Sequence, residues 1–277
     1  MAMATPWVGH RRRAEVLRDR YPFAGEVLTL YLALLDVWVE GWDLARDDRP
    51  DPRRLGGWAA ERVLPQVVKA TEAVGPEPLA VAGRDLLAAG GLAESLTAWL
   101  AGAELPPVER YLARASLWAP LVALDADAAA ACADDPSPWG DRRCPRCGGQ
   151  PQLSFRGDAE DRLVSGRRYL ACARCGQSWS YAGGSCPSCG ETAGSRRTVY
   201  AERRDGPVVG RDGDGSQATF PHLRVDACGS CERYLIDVDL GRDSAAVPEV
   251  DELAALPLDL YATEQGLSKI TPNLMGF

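Results

Sequence analysis

Histidine is almost absent from this 277-residue chain: His10 and His222 are the only two. The shortage excludes histidine-rich metal sites, and no HExxH, GxSxG or phosphate-cradling glycine loop stands in for them. An excess of positive charge is missing as well. The net charge is −8 and the isoelectric point about 5.0, the opposite of a general nucleic-acid binder's basic footprint, so no nucleic acid is expected as a partner. Long apolar runs are lacking. The most apolar stretch, 27–39, is interrupted by Asp36, and its charge-free part, 27–35, falls well short of the ~20 residues of a bilayer span, so no membrane span is expected. The first 23 residues hold no apolar signal region, which makes a reducing cytoplasm the expected compartment. Cysteine is absent from residues 1–131.

What is present divides the chain in two. Seven of the eight Trp precede residue 144, and eight of the nine Cys lie between 144 and 231. The first part reads as helical: 10–21, 24–46 (apolar nearly all round at first, hence central), 55–74 interrupted at Pro65, 78–100 weakened at Gly90-Gly91, and a helix opening at Pro107 and kinked by Pro120. About five helices form a bundle over 1–132, with Cys132 as a small residue at a helix end. Residues 133–143 are a Pro- and Asp-containing linker. Short strand-like runs follow at 153–155, 168–171, 197–200, 223–225 and 234–238. Residues 248–265 return to helical character, broken near Pro257 and stopped at Gly266, and 268–277 show no regular pattern. The fold class is α+β: an N-terminal helical bundle, two zinc-ribbon or rubredoxin-like metal modules over 144–183 and 184–244, and a C-terminal helix and tail over 245–277.

The chemistry lies in four CxxC pairs: Cys144/Cys147, Cys172/Cys175, Cys186/Cys189 and Cys228/Cys231. Two thiolates three residues apart on a tight turn can both reach one ion at ~2.3 Å, and the turn aims backbone N–H groups at the sulfurs. Three pairs are followed by Gly; the fourth, Cys228-Gly-Ser-Cys231, has Gly inside and Glu232 after it. Eight thiolates make two four-sulfur sites, hence two ions per chain, Zn or Fe, because both metals accept the same ligands. The economical grouping is successive, 144/147 with 172/175 and 186/189 with 228/231. A cross-brace, 144/147 with 186/189 and 172/175 with 228/231, is the alternative. A thioredoxin-type redox pair would sit at a helix start after a strand, which these knuckles do not suit. Closed four-sulfur sites leave no open position for substrate. No nucleophile or acid–base constellation accompanies them, so no catalytic residue is assigned, no cofactor site besides the metals is expected, and the chain reads as no enzyme. The arginines around the knuckles, among them Arg142, Arg143, Arg146, Arg156, Arg168, Arg174, Arg197, Arg203 and Arg204, read as a solvated ribbon face balanced by acids.

Three segments carry a family resemblance: Cys-Pro-Arg-Cys-Gly-Gly-Gln-Pro at 144–151, Gly-Arg-Arg-Tyr-Leu-Ala-Cys-Ala-Arg-Cys-Gly-Gln-Ser-Trp at 166–179, and Arg-Val-Asp-Ala-Cys-Gly-Ser-Cys-Glu-Arg-Tyr-Leu at 224–235. With the tail segments 258–266 and 272–274 and the basic segment 12–18, they resemble the formate dehydrogenase accessory protein FdhE family. The resemblance implies a cytoplasmic maturation factor with a helical domain and two rubredoxin-like modules. Its implied partner is the catalytic subunit of a molybdenum or tungsten formate dehydrogenase, bound during assembly or activation. Lys269 departs from the Arg expected there. The rival readings are a zinc-ribbon nucleic-acid-binding or transcription-associated protein, which the charge of −8 disfavours, and a thiol-redox protein, which needs a CxxC pair free of metal.

Overall fold

The computed structural model describes residues 6–132, 140–157, 166–202 and 218–276. Most of the expected linker, together with Arg203 and Arg204, therefore lies outside the described residues.

The fold is α+β. Eight α-helices precede the cysteines: α1 (Val8–Arg20), α2 (Gly25–Asp48), α3 (Leu55–Arg62), α4 (Leu64–Val74), α5 (Glu77–Ala89), α6 (Leu92–Ala101), α7 (Pro107–Ala123) and α8 (Ala126–Ala131). The expected third and fourth helices each divide where their breakers sit. Pro65 falls at the first positions of α4, and Gly90 and Gly91 adopt positive φ (78° and 87°) between α5 and α6. Pro120 lies inside α7, which runs only three residues further. Proline has no N–H to give to the carbonyl one turn back, and the helix ends within a turn of it.

Helix α2 is long and apolar enough to cross a membrane by length and composition, more so than its charge-free stretch suggested. It packs instead against α1, α4 and α7. At Gly41 an added Cβ would meet Val63 and Ala119 in ordinary contact at 3.5–3.6 Å, so the helix is already in packing distance of both. Trp38 on the same helix is fully buried, donates its indole N–H to the Ala115 carbonyl at 2.7 Å, and meets Trp118 edge-on at 4.4 Å. A buried indole with a hydrogen-bonded N–H and an edge-to-face partner is a strong packing anchor.

The cysteine-bearing part forms one sheet of strands β1 (Pro151–Arg156), β2 (Arg168–Cys172), β3 (Ser178–Ser180), β4 (Arg197–Tyr200), β5 (Leu223–Cys228) and β6 (Arg233–Asp239), in the order β3-β2-β1-β6-β5-β4. Neighbours are antiparallel except at the centre, where β1 lies parallel to β6 and Ser154 stands opposite Asp237. That parallel joint fuses two meanders, one per cysteine quartet. Asp237 is fully buried at the joint, accepts from Ser154 Oγ, and pairs with Arg156 and Arg224. Asp226 on β5 bridges Arg168 on β2 (2.6 Å) and Arg197 on β4. These arginines are not a solvated face: they neutralise two buried carboxylates that the sheet could not hold unpaired.

The chain ends with α9 (Pro248–Ala254), α10 (Leu256–Glu264) and β7 (Ser268–Lys269). The break near Pro257 and the positive φ of Gly266 (77°) match the sequence. The tail does not: Ser268–Lys269 pairs in parallel with Arg233 and Tyr234 of β6. Two buried charge clusters tie these elements down. Arg13 of α1 donates to Asp251 of α9 and, at 2.7 Å, to Asp243, while His222 Nε2 lies 2.7 Å from Asp251. Lys269 pairs with Glu252 and, at 3.0 Å, with Asp259; Tyr234 donates to Asp259, Gln152 to Glu252, and Arg114 of α7 to Gln152. One apolar core runs from Leu28, Leu34 and Trp38 through Val225, Ile236 and Leu253, so the helices and the sheet bury each other.

Candidate metal centres

The structure brings the eight thiols into two groups, Cys144, Cys147, Cys172 and Cys175 in one and Cys186, Cys189, Cys228 and Cys231 in the other. This is the successive grouping and not the cross-brace. In the first group the sulfurs of Cys144 and Cys175, Cys147 and Cys172, and Cys147 and Cys175 lie 3.7, 3.5 and 3.4 Å apart. In the second, Cys186 and Cys231, and Cys189 and Cys228, are both 3.8 Å apart. Four sulfurs held tetrahedrally at ~2.3 Å from one ion stand about 3.8 Å from one another. Both groups therefore have the donor type, number and spacing of a four-sulfur site, and the two quartets could each bind one metal ion.

Each knuckle is built the same way. The residue after the second Cys donates its N–H to the carbonyl of the first: Gly148 to Cys144 at 2.9 Å, Gly176 to Cys172 at 3.2 Å, Gly190 to Cys186 at 2.9 Å and Glu232 to Cys228 at 2.8 Å. All four adopt positive φ (67°, 67°, 82° and 56°). Glycine enters that region without penalty; Glu232 does so at a cost, and it is the position where the sequence lacked the expected Gly. At Gly149 an added Cβ would come within 2.6 Å of the Cys172 sulfur, so only glycine leaves room for that thiol.

Mutual contact and burial set the thiols' acidities. Hydrogen bonds from Cys144, Cys147 and Cys172 pull the Cys175 pKa far down, while burial drives Cys172 well up. Burial also pushes Cys186 up to about 12. Four thiolates around one point repel one another, and a divalent cation among them is what lets all four ionise.

The two groups differ in setting. Cys144, Cys147, Cys172 and Cys175 are 0–5% exposed and lie in a core shared with Leu55 of α3, Leu96 and Trp99 of α6, and Leu117 of α7. In the other group Cys189 is exposed and Cys231 half-buried. Two arginines dock the first group on the helices. Arg146, inside Cys144/Cys147, donates to the Val122 and Leu124 carbonyls at the end of α7. Arg174, inside Cys172/Cys175, donates to the Leu100 carbonyl of α6 at 3.0 Å and lies over Trp99. Helix C-termini leave carbonyls without intrahelical donors and carry partial negative charge, so a guanidinium suits both needs. In the second group the same two positions hold Ser188 and Ser230. Ser230 donates to Glu191 beside the other knuckle, and the Ser188 carbonyl accepts from Arg142.

His222, Asp243 and Asp251 also cluster at metal-ligand distance. The Arg13 guanidinium bridges the two carboxylates there and already supplies the positive charge. His10 is half-buried against Tyr31, its Nδ1 2.7 Å from the phenol oxygen, and desolvation lowers its pKa to about 4. Cys132 caps α8 and packs against the core of the first quartet without joining either thiol group, and burial raises its pKa to about 11.

Comparison with known proteins bears on the whole arrangement. Residues 208–275 match the family model described as FdhE, C-terminal domain. The chain is 30% identical over 139 residues to a "Protein FdhE homolog" of Aquifex aeolicus, covering 50% of this chain and 43% of that protein. It is 33% identical over 134 residues to a "Protein FdhE homolog" of Pseudomonas aeruginosa, covering 48% and 38%. The matched segment thus spans less than half the length of those curated relatives. The crystal structure of the FdhE protein from Pseudomonas aeruginosa superposes over 97% of this chain and 94% of that one, with a TM-score of 0.64 at 21% identity, which is a likeness of fold. The chain is thus similar in sequence to FdhE homologues over about half its length, and similar in fold to the FdhE protein of Pseudomonas aeruginosa over nearly all of it.

Proposed function

We propose that this chain is a non-catalytic accessory factor that binds the catalytic subunit of a formate dehydrogenase in the cytoplasm during assembly or activation. In this reading residues 1–132 are the helical scaffold, 133–143 the linker, 144–183 and 184–244 the two metal modules, and 245–277 the segment that clasps them. Cys144, Cys147, Cys172 and Cys175 ligate one Zn or Fe ion, and Cys186, Cys189, Cys228 and Cys231 the other. The observation that carries the reading is the pair of closed four-sulfur cages inside an FdhE-like fold. All four positions of each cage are protein thiols, which leaves no position for a substrate, so the ions staple a binding surface. The client's identity is supported by the family resemblance. The test has two arms. Elemental analysis of the protein purified without added metal should give two ions per chain. The tagged protein, recovered from its own cells, should bring down a formate dehydrogenase catalytic subunit, and deletion of its gene should abolish that enzyme's activity while the subunit is still made. One ion per chain, or recovery of nucleic acid with no dehydrogenase subunit, would overturn the reading.

A further inference from the structure

We propose that the cleft between the α6–α7 connection, the knuckles of the first metal centre and strand β7 is a docking site for an acidic segment of a protein partner. The cleft has a volume of about 750 Å³, within the range of built ligand sites. Besides Arg114, which is taken up by Gln152 and the Pro272 carbonyl, four arginines from separate elements line it: Arg110 of α7, Arg143 beside Cys144, Arg174 between Cys172 and Cys175, and Arg233 of β6. None has an ion pair among the described residues, and Glu104 is the one carboxylate among the lining residues.

Elsewhere in the chain buried arginines face carboxylates, as Arg168 and Arg197 face Asp226. Here the positive groups face one another. Arg174 spends one N–H on the Leu100 carbonyl and Arg233 one on the Lys269 carbonyl. A guanidinium has five N–H groups, so each keeps donors in hand. A chain of net charge −8 that concentrates unpaired guanidinium groups in one concavity has built a complement to negative charge. Planar forked donors suit carboxylates, which they bind two bonds at a time.

The apolar rim decides between a peptide and a bare ion. Leu105 and Ile270 line the same cleft, and they have contacts to offer to a chain's Cβ atoms but none to phosphate. The partner is of the class that the proposed function requires, and on that point the inference rests on it. Two of the four arginines lie on or beside the knuckles of the first quartet, so an ion bound there would hold the docking surface in shape.

The full metal-loaded chain should bind a fluorescent hexaglutamate peptide with an affinity that falls as salt is raised. The double variant Arg110→Glu/Arg143→Glu should bind it about tenfold or more weakly and should fail to recover the dehydrogenase subunit from cells. Neither side chain makes a hydrogen bond among the described residues, and the milder Arg110→Gln/Arg143→Gln pair, with metal content and circular dichroism unchanged, guards against misfolding. Undiminished peptide and subunit binding in both variants would overturn the cleft and leave the accessory role standing. Binding of inorganic polyphosphate with no binding of hexaglutamate would also overturn it. Hexaglutamate binding through these arginines, with no dehydrogenase subunit recovered by the wild type, would sustain the cleft and sink the accessory role.

Discussion

The two cysteine quartets share a knuckle and differ in everything around it. The first is 0–5% exposed, belongs to a core with α3, α6 and α7, and is fastened to two helix ends by Arg146 and Arg174. The second belongs to the other meander, with Cys189 exposed, Cys231 half-buried and serines in place of the arginines. Identical ligand sets can therefore do different work. An ion in the first quartet would hold helices to sheet, while an ion in the second would close the end of one meander.

Removing one quartet at a time breaks the comparison most sharply. Structural zinc contributes roughly 10–16 kcal/mol in small model peptides, as much as the whole stability of an ordinary domain. Cys144→Ser with Cys172→Ser should cost one ion and also disturb Trp99 and Trp179, which lie in the same core, with the change read by elemental analysis and tryptophan fluorescence. Cys189→Ser with Cys231→Ser should cost one ion and leave that fluorescence in place. Loss of both ions in either variant would contradict two separate cages. Chelation offers a second view: release of metal from the wild type should follow two phases, and the faster one should vanish when the exposed quartet is removed.

The seam beside the first quartet should also show in the pH dependence. Glu249 lies there with Trp118, Gly176 and Cys172, and burial raises its pKa from an ordinary 4.5 to about 7. A folded-state pKa above the unfolded one means that the fold favours the protonated acid. Its contribution is then intact below pH 4.5 and is lost as the pH rises through 7. Glu249→Gln should therefore gain stability relative to the wild type between about pH 5 and pH 8, by at most about 3 kcal/mol, measured by urea unfolding at both ends. A flat difference would remove Glu249 from the account.

Smaller effects separate the two dockings. Arg174→Ala should cost about 1–2 kcal/mol, from a charged hydrogen bond and a ring contact that are both partly open to solvent. Arg142→Ala, whose exposed contact is to Ser188, should cost about 0.5 kcal/mol. Equal costs would erase the distinction. The smallest expected effect is a gain. Glu232→Gly relieves roughly 1–2 kcal/mol of left-handed strain and gives back part of it to the unfolded chain's freedom, for a net stabilisation of a few tenths to about 1 kcal/mol. No comparable gain is open at the three knuckles that already have glycine.

Much of this was legible beforehand because the cues are local. Pro65, Gly90-Gly91 and Gly266 mark helix ends through their own backbone preferences, and the strand-like runs at 168–171, 197–200 and 234–238 fall within β2, β4 and β6. A further local cue lies inside the pairs themselves. Arg in Cys-Pro-Arg-Cys and Cys-Ala-Arg-Cys against Ser in Cys-Pro-Ser-Cys and Cys-Gly-Ser-Cys already sorts the four pairs into the two quartets that form. Strand β3 and strand β7 were missed because three and two residues are too few to show an alternation, and β7 exists only because β6 offers it an edge.

The sequence by itself determined the knuckles, their number, the class of ion they suit and the helical character of the first 132 residues, since each follows from side chains a few positions apart. Tertiary structure decided what those spacings leave open. It set which pairs meet, fused the two meanders through the parallel joint of β1 and β6, and turned arginines from a supposed solvated face into partners of Asp226, Asp237 and two helix ends. It also placed Lys269, marked in the sequence only as a departure from an expected Arg, between Glu252 and Asp259, where a buried ammonium balances two carboxylates. The physical reason is the same in each case: charge neutralisation and strand pairing act between residues near in space, whatever their separation along the chain.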